Sequence, residues 1–426
     1  MKVFIVTIGT RGDVQPYVAL GQRLLARGHP VTLCTSASFE SFITGHGLAY
    51  GYMNDRFMEL VHSEAGRDAI ENTTNAWQAI RTGFKLARQV TPLFRAMLED
   101  SWRAAEKARP NLVIFHPKAY GGVPIAEKLG VPCLMALPMP LLVPTEEFPH
   151  LGFPEWGLGG WYNMLTFGLV RKIMKYQANR FNRPWRIEHQ LPPPSRRQDV
   201  LHTTDGKPIP VLHFYSRHVV PPPADWPDSV KTTGYWFLEE EAQWTPSPEL
   251  RRFLDAGDPP VYAGFGSMAG RNPQRLTRTV IQGFRKANVR GVLATGWGGI
   301  APGDLPDTIF KLEAAPHGWL FPRMSAVIHH GGAGTTGAGL RAGRPTIICP
   351  FFGDQPFWGR RIHALGAGTR PIPQKKLTAE NLSASIHEAT TNPVIQQRAR
   401  ALGEAICRED GVANAVSFIE KRWGGV

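Results

Sequence analysis

The strongest constraint on this chain is a unit that recurs along it. A short apolar run leads through a turn into a helical pattern, which stops at a glycine and is followed by a second apolar run. Val3 to Ile8 is apolar and of strand length. Pro16 to Arg27 carries Val18, Leu20, Leu24 and Leu25 at helical spacing and stops at Gly28, and Val31 to Cys34 is apolar again. Leu112 to Phe115, Val123 to Leu129 with Gly130, and Val131 to Ala136 repeat the unit. Strands and helices in alternation call for a parallel sheet with helices on both faces. The second half follows the same logic, with strands expected at Val261 to Phe265, Gly291 to Thr295, Ala326 to Ile328 and Thr346 to Cys349, and a helical tail over Glu380 to Arg422.

Two stretches break the pattern. From Pro138 to Pro194, prolines and glycines crowd with Phe148, Phe153, Trp156, Trp161 and Tyr162, which reads as an insertion of long loops and some helix. Val219-Val220-Pro221-Pro222-Pro223, followed by Trp226-Pro227, reads as a semi-rigid linker. A chain of 426 residues is long enough for two α/β domains with full cores. Its formal charge of +13 favours polyanionic partners such as nucleotide diphosphates or anionic lipid. Zinc-finger spacing, an RNA-binding aromatic signature and long Lys/Arg blocks are all missing, which argues against nucleic acid. Cys34, Cys133, Cys349 and Cys407 stand apart from one another, as reduced thiols of a cytoplasmic protein would. Met1 to Ile8 is too short for a signal peptide and runs straight into Gly9-Thr10-Arg11-Gly12-Asp13. Apolar runs fall short of the roughly 20 residues that span a bilayer.

The most telling loop is His329-His330-Gly331-Gly332-Ala333-Gly334-Thr335-Thr336. It follows an apolar strand and precedes a helix-compatible run, Gly337 to Ala342. Glycines let the backbone approach a ligand, a helix start presents unpaired N–H groups to an anion, and a histidine at the lip can donate to a phosphate oxygen. The pattern describes a diphosphate cradle. A P-loop is excluded, because the chain has no G-x-x-x-x-G-K-[ST]. Gly264-Phe265-Gly266-Ser267-Met268-Ala269 only approaches a dinucleotide fingerprint, and Lys286 and Arg290 stand where an acidic ribose partner would be needed. An NAD(P)-dependent oxidoreductase is therefore a weak alternative.

The same loop, with Gly339-Leu340-Arg341-Ala342-Gly343 and Pro350-Phe351-Phe352-Gly353-Asp354-Gln355-Pro356-Phe357-Trp358, closely resembles glycosyltransferase family 1. The likeness is greatest to the sterol 3-β-glucosyltransferase branch and its bacterial relatives. Gly9-Thr10-Arg11-Gly12-Asp13-Val14-Gln15-Pro16, Gly234-Tyr235-Trp236-Phe237-Leu238 and Ala315-Pro316-His317-Gly318-Trp319-Leu320-Phe321-Pro322 carry it to both halves of the chain. The resemblance implies the GT-B fold, two Rossmann-like domains facing across a cleft. Residues 1–220 would then be the acceptor-binding domain, 221–238 a Pro-rich linker, 239–405 the nucleotide-sugar-binding domain, and 406–426 a terminal helix packing back on the first domain.

The resemblance also assigns roles. His330, Gly332, Gly334 and Thr335 would hold the donor diphosphate, with Ser267 reaching it from the neighbouring loop. Asp354 and Gln355 would hold sugar hydroxyls, and Asp13 would remove the acceptor hydroxyl proton. Helix capping is the competing role for Ser267, Asp354 and Asp13. Ala314 and Ala338 stand where plant members carry a base-stacking tryptophan and a ribose-binding glutamate. Nucleobase and ribose contacts would fall to the vicinity of Ala315, His317 and Trp297, and the choice between UDP- and dTDP-sugar stays open. Without an Asp-x-Asp, no metal or other cofactor is expected.

On the acceptor side, Met139, Leu141, Phe153 and Trp156 are candidates for an apolar wall. The amphipathic run Ala76 to Ala105, with Trp77, Phe84, Leu86, Leu93 and Phe94, suggests peripheral membrane contact. The expected activity is inverting transfer of a hexose, glucose from UDP-glucose, to the hydroxyl of a sterol or similar lipophilic acceptor. A dTDP- or UDP-sugar transferase acting on a polyketide, antibiotic or hydroxy-fatty acid is the rival. Oligomeric state is not legible.

Overall fold

The computed structural model describes residues 1–63, 76–195, 198–239, 244–266, 273–294 and 305–425. The chain divides into two compact units. One comprises Met1–Tyr215, Pro222–Leu238 and Asp410–Val426, and the other Ser216–Pro221 and Glu239–Glu409.

The first unit is built on seven strands, β1 (Val3–Val6), β2 (Val31–Ser36), β3 (Ala49–Met53), β4 (Leu112–Phe115), β5 (Cys133–Leu137), β6 (Val211–His213) and β7 (Val230–Thr232). They pair in the order β3-β2-β1-β4-β5-β6-β7, all parallel. Alternate residues of a strand point to opposite faces, so β1 feeds two cores. Val3 and Ile5 meet the helix Arg11–Ala26 and the C-terminal helix Gly411–Trp423. Phe4 and Val6 meet Met97, Leu98 and Trp102 of the helix Ala76–Ala108, with Trp185 from the helix Gly160–Glu188.

The second unit has five parallel strands, β8 (Val261–Gly264), β9 (Gly291–Ala294), β10 (Ile309–Leu312), β11 (Ala326–His329) and β12 (Thr346–Ile348), in the order β10-β9-β8-β11-β12. Each sheet reverses its winding beside its first strand, between β1 and β4 in one unit and between β8 and β11 in the other. The loops leaving two such strands diverge to opposite faces and open a crevice at the carboxyl edge, where ligands bind in sheets of this kind.

The structure departs from the sequence reading in several places. The first helix begins at Arg11, ahead of Pro16, which sits inside it. Thr10 is its N-cap, and the only hydrogen bond Pro16 forfeits is the one to the Gly12 carbonyl near the helix start. The stretch read as a linker is not a separate spacer. Pro222–Leu238 belongs to the first unit and supplies its edge strand β7, whereas Ser216–Pro221 goes with the second. Much of the Pro138–Pro194 insertion is one helix of 29 residues. The tail is three helices, Ala379–Thr391, Pro393–Cys407 and Gly411–Trp423, separated where Asn392 and Asp410 cap the second and third. The last of these joins the first unit through Arg27 and Glu420, which make two 3.1 Å hydrogen bonds.

Candidate active site

In the first unit, the switch between β1 and β4 gathers Asp13, His116 and Lys118. The helix Arg11–Ala26 starts where β1 ends and places Asp13 in its first turn, where the Thr10 N–H donates to Asp13 Oδ2 at 2.9 Å. Asp13 therefore does cap its helix. A side chain at Gly9, whose φ is +143°, would collide with the carboxylate, so glycine there keeps the space that Asp13 fills. The other oxygen, Oδ1, accepts from Lys118 Nζ at 2.7 Å and lies 4.0 Å from His116 Nε2. Both partners come from the turn after β4.

Burial pushes the Asp13 carboxyl up. The Lys118 ammonium, the His116 ring and the hydrogen bonds from Lys118 and Thr10 outweigh it and hold the pKa below the usual carboxylate value. His116 is pushed down to about 3 by burial and by Lys118, against the pull of Asp13. It is neutral at pH 7. Its Nδ1 accepts from the Lys118 backbone N–H at 3.1 Å, so its proton sits on Nε2, on the side of Asp13. The Lys118 side chain is 55% exposed, whereas that of Asp13 is 17% exposed. A Lys118→Met variant is expected to raise the Asp13 pKa and move the acid limb of the kcat/KM profile to higher pH. An unmoved limb would show that Asp13 is not the group that titrates there.

In the second unit, the loops after β8, β11 and β12 converge on one edge. Gly331 has φ +96°, and a Cβ there would lie 2.8 Å from Ile348 Cγ2 and 3.2 Å from the Gln355 carbonyl. Only glycine allows this approach of the β11 loop to the Gln355 backbone. The helix Ala333–Arg341 follows with Gly332 as N-cap and no side-chain cap, and its first bond runs from Thr336 N–H to the Gly332 carbonyl. The N–H groups of Ala333, Gly334 and Thr335 are thus left for a ligand. A Cβ on Gly334 would meet nothing within 4 Å, so the approach is open.

His330 lies over this helix start. Its Nε2 is 2.6 Å from where a Cβ of Gly332 would be, and its Cε1 is 3.7 Å from the same point on Gly266. Its Nδ1 is buried without a hydrogen-bond partner among the described residues, and burial pushes its pKa down to about 4. His329 plays a structural part. It is fully buried, held well below the usual range by burial and the neighbouring His330 and His317, and its Nδ1 accepts from the Gly331 N–H at 2.9 Å. His317 stacks on Phe321 at 4.3 Å, and Ala315 packs on the same cluster. Ser267 and Trp297 lie outside the described residues.

Asp354 stands at the N-cap of the helix Gln355–Leu365 without capping it, because its Oδ2 accepts from the Trp358 indole N–H at 2.9 Å. Gln355 is buried, and its Oε1 accepts from the N–H groups of Phe351 at 2.7 Å and Phe352 at 3.2 Å. The pair is anchored from behind at the end of β12, beside the Gly331 turn.

Of the four residues expected as an acceptor wall, Leu141, Phe153 and Trp156 have separate neighbours. Leu141 packs on the core, Phe153 lies edge-on to His150, and Trp156 is exposed and stacks on Tyr162. Two cavities of the first unit are lined by other residues. One is lined by Phe115, Pro117, Tyr120, Met135, Met174 and Asn182, and its neighbour by Val6, Phe94, Met97, Leu98, Tyr120 and Phe181. Phe94 and Phe181 stack at 4.6 Å. Pro117, which stands between His116 and Lys118 in sequence, lines the first of these cavities. Sequence reasoning missed both. The available signal was a histidine directly after an apolar strand, at Phe115-His116.

Residues 3–145 match the model of the glycosyltransferase family 28 N-terminal domain, and residues 299–415 that of the erythromycin biosynthesis protein CIII-like C-terminal domain. The glycotransferase of kitacinnamycin superposes with a TM-score of 0.73 over 99% of both chains at 20% identity. The chain has the GT-B fold. A second GT-B structure, the spinosyn rhamnosyltransferase complexed with thymidine diphosphate, superposes with a TM-score of 0.63 over 99% of this chain and 100% of that one, at 18% identity. A sterol 3-β-glucosyltransferase of Emericella nidulans is 39% identical over 98% of the chain. The chain spans 30% of that relative's length.

Proposed function

We propose that this GT-B protein is an inverting glycosyltransferase that moves a hexose, glucose from UDP-glucose, to the hydroxyl of a sterol or similar lipophilic acceptor. The observation that carries this reading is the uncapped helix start at Gly332–Thr335 under a neutral, partly buried His330, at the edge where Gln355 meets Gly331. The sequence likeness to a sterol 3-β-glucosyltransferase supports the acceptor class. In the proposed reaction the acceptor O–H gives its proton to Asp13 while its oxygen attacks the anomeric carbon. The bond from that carbon to the diphosphate breaks, and the nucleoside diphosphate leaves on the helix N–H groups and His330. Attack opposite the leaving group turns an α-donor into a β-glycoside. Asp13 is ionised throughout the neutral range and accepts the proton late, as the C–O bond forms and the hydroxyl becomes acidic. The Asp354–Gln355 pair would hold the sugar hydroxyls.

The leaving diphosphate carries charge that must be neutralised, and the proposal assigns this to the helix dipole, the N–H groups and His330 in place of a divalent ion. The deciding experiment measures nucleotide release over UDP- and dTDP-sugars against sterols and macrolides, with and without EDTA. Turnover with UDP-glucose and a sterol, unchanged by EDTA, is expected. Turnover with dTDP-sugars and macrolides alone would favour the rival substrate class, to which the thymidine diphosphate complex of the spinosyn enzyme points. Loss of activity on chelation, restored by magnesium, would overturn the metal-free mechanism.

A further inference from the structure

The helix Gly160–Glu188 has two unlike faces. The inner one carries Phe167, Met174 and Trp185 against the first unit. The outer one is apolar in solvent, with Trp161 67% exposed, Leu165 60%, Tyr176 68% and Ile187 69%. Large exposed side chains scattered singly are ordinary, but these are not scattered. Together with Leu169, Lys172, Arg180 and Arg183, all exposed, they fall at steps of four, four and three residues. That spacing gives about 3.67 residues per turn, close enough to the helical 3.6 to keep all eight within an arc of about 100° along roughly 40 Å. The only carboxylate of the helix is Glu188 at its very end, paired with Arg95 at 2.8 Å. Lys172, Arg180 and Arg183 pair with no carboxylate among the described residues.

We propose that this stripe docks the protein on an anionic lipid bilayer, with Trp161, Leu165 and Leu169 entering the acyl boundary and Lys172, Arg180 and Arg183 meeting headgroup phosphates. Aromatic and aliphatic side chains interleaved with basic ones, on a helix lying in the interface plane, match that boundary in polarity and charge. No described helix is long and apolar enough to cross a membrane, so the contact is with the surface layer. A second copy of the chain fits worse, since pairing this face with itself would gather six basic side chains, three from each copy, in one interface with no carboxylate from the stripe to offset them. In the amphipathic run Ala76 to Ala105 the side chains of Trp77, Phe84 and Leu86 lie outside the described residues, and the later part of that helix is packed inward through Met97, Leu98 and Trp102. The inference rests on the glycosyl-transfer reading only for its purpose. Docking would bring the first unit, which carries Asp13, to the phase in which a lipophilic acceptor dissolves.

The test is cosedimentation of the whole protein with vesicles of phosphatidylcholine alone or with about 30% phosphatidylglycerol. Wild type is expected to pellet with the anionic vesicles at low salt. Leu165→Glu with Leu169→Glu should weaken binding at least about tenfold, and Lys172→Glu with Arg180→Glu and Arg183→Glu should abolish the preference for anionic lipid. Both variants should keep the wild-type Tm, because the replaced side chains face solvent. The proposal falls if wild type stays in the supernatant, if either variant pellets as wild type does, or if size exclusion shows a dimer that the Leu165/Leu169 variant dissolves. Binding is read without donor or acceptor, so it can fail while glycosyl transfer stands, and the reverse.

Discussion

Asp13→Asn should lower kcat by about 10²–10⁴-fold, the usual range for loss of a general base, while the dissociation constant for the nucleoside diphosphate stays near wild type. Asparagine is the informative replacement because Asp13 has two tasks. One of its oxygens accepts from the Thr10 N–H and caps the first helix. An amide oxygen can take over that hydrogen bond, but the amide cannot accept a proton. Alanine would remove both functions and add a capping loss of about 1 kcal/mol, mixing folding with chemistry. Steady-state nucleotide release, run beside a thermal melt, separates the two. Wild-type kcat in the asparagine variant would remove Asp13 from the mechanism and leave it a capping residue.

His330→Ala should cost about 10²–10³ in kcat, as loss of one preorganised donor to a developing anion does, and should also weaken donor binding. The ring lies over the helix start in space that a side chain on Gly332 would invade, and burial keeps it neutral, with a pKa of about 4. A bound diphosphate favours the charged imidazole and raises that pKa. Binding then takes up a proton, and nucleoside diphosphate affinity strengthens as pH falls from the bound-state pKa toward about 4. The alanine variant should lose this slope. Calorimetric titration of the nucleoside diphosphate at several pH values reads it directly, and an identical slope in the variant would place the proton uptake elsewhere.

The two predictions differ in how visible their residues were beforehand. His330 sits in a local motif, where glycines, histidines and a helix start lie within eight consecutive residues and their chemistry follows from their spacing. Asp13 was visible as an acid in a glycine-containing turn, but its electrostatic setting was not. His116 and Lys118 are more than 100 residues away in sequence and arrive only because β4 pairs with β1 on the side opposite β2. The acceptor side was less legible for a related reason. Aromatic density in Met139 to Trp161 marks apolar surface, but whether such a residue lines a cavity, joins the core or faces solvent depends on what packs against it. Leu141 joined the core, Trp156 stayed exposed, and the cavities formed instead from residues of the helices Ala76–Ala108 and Gly160–Glu188 and of the strand ends.

From the sequence alone followed the class of fold, the recurring strand–helix order and the helix start within the His329–Thr336 turn. Each depends on residues close together in the chain, where steric and hydrogen-bonding preferences act directly. Short and edge strands, β3, β6, β7 and β10, escaped notice because three to five residues of mixed polarity carry little periodicity, and pairing partners decide their state. Tertiary structure alone set the charge environment of Asp13, the place of the apolar cavities and the exposure of one face of Gly160–Glu188. Burial and Coulombic contact are properties of neighbours in space, and the strand order that creates those neighbours is not written in any local stretch.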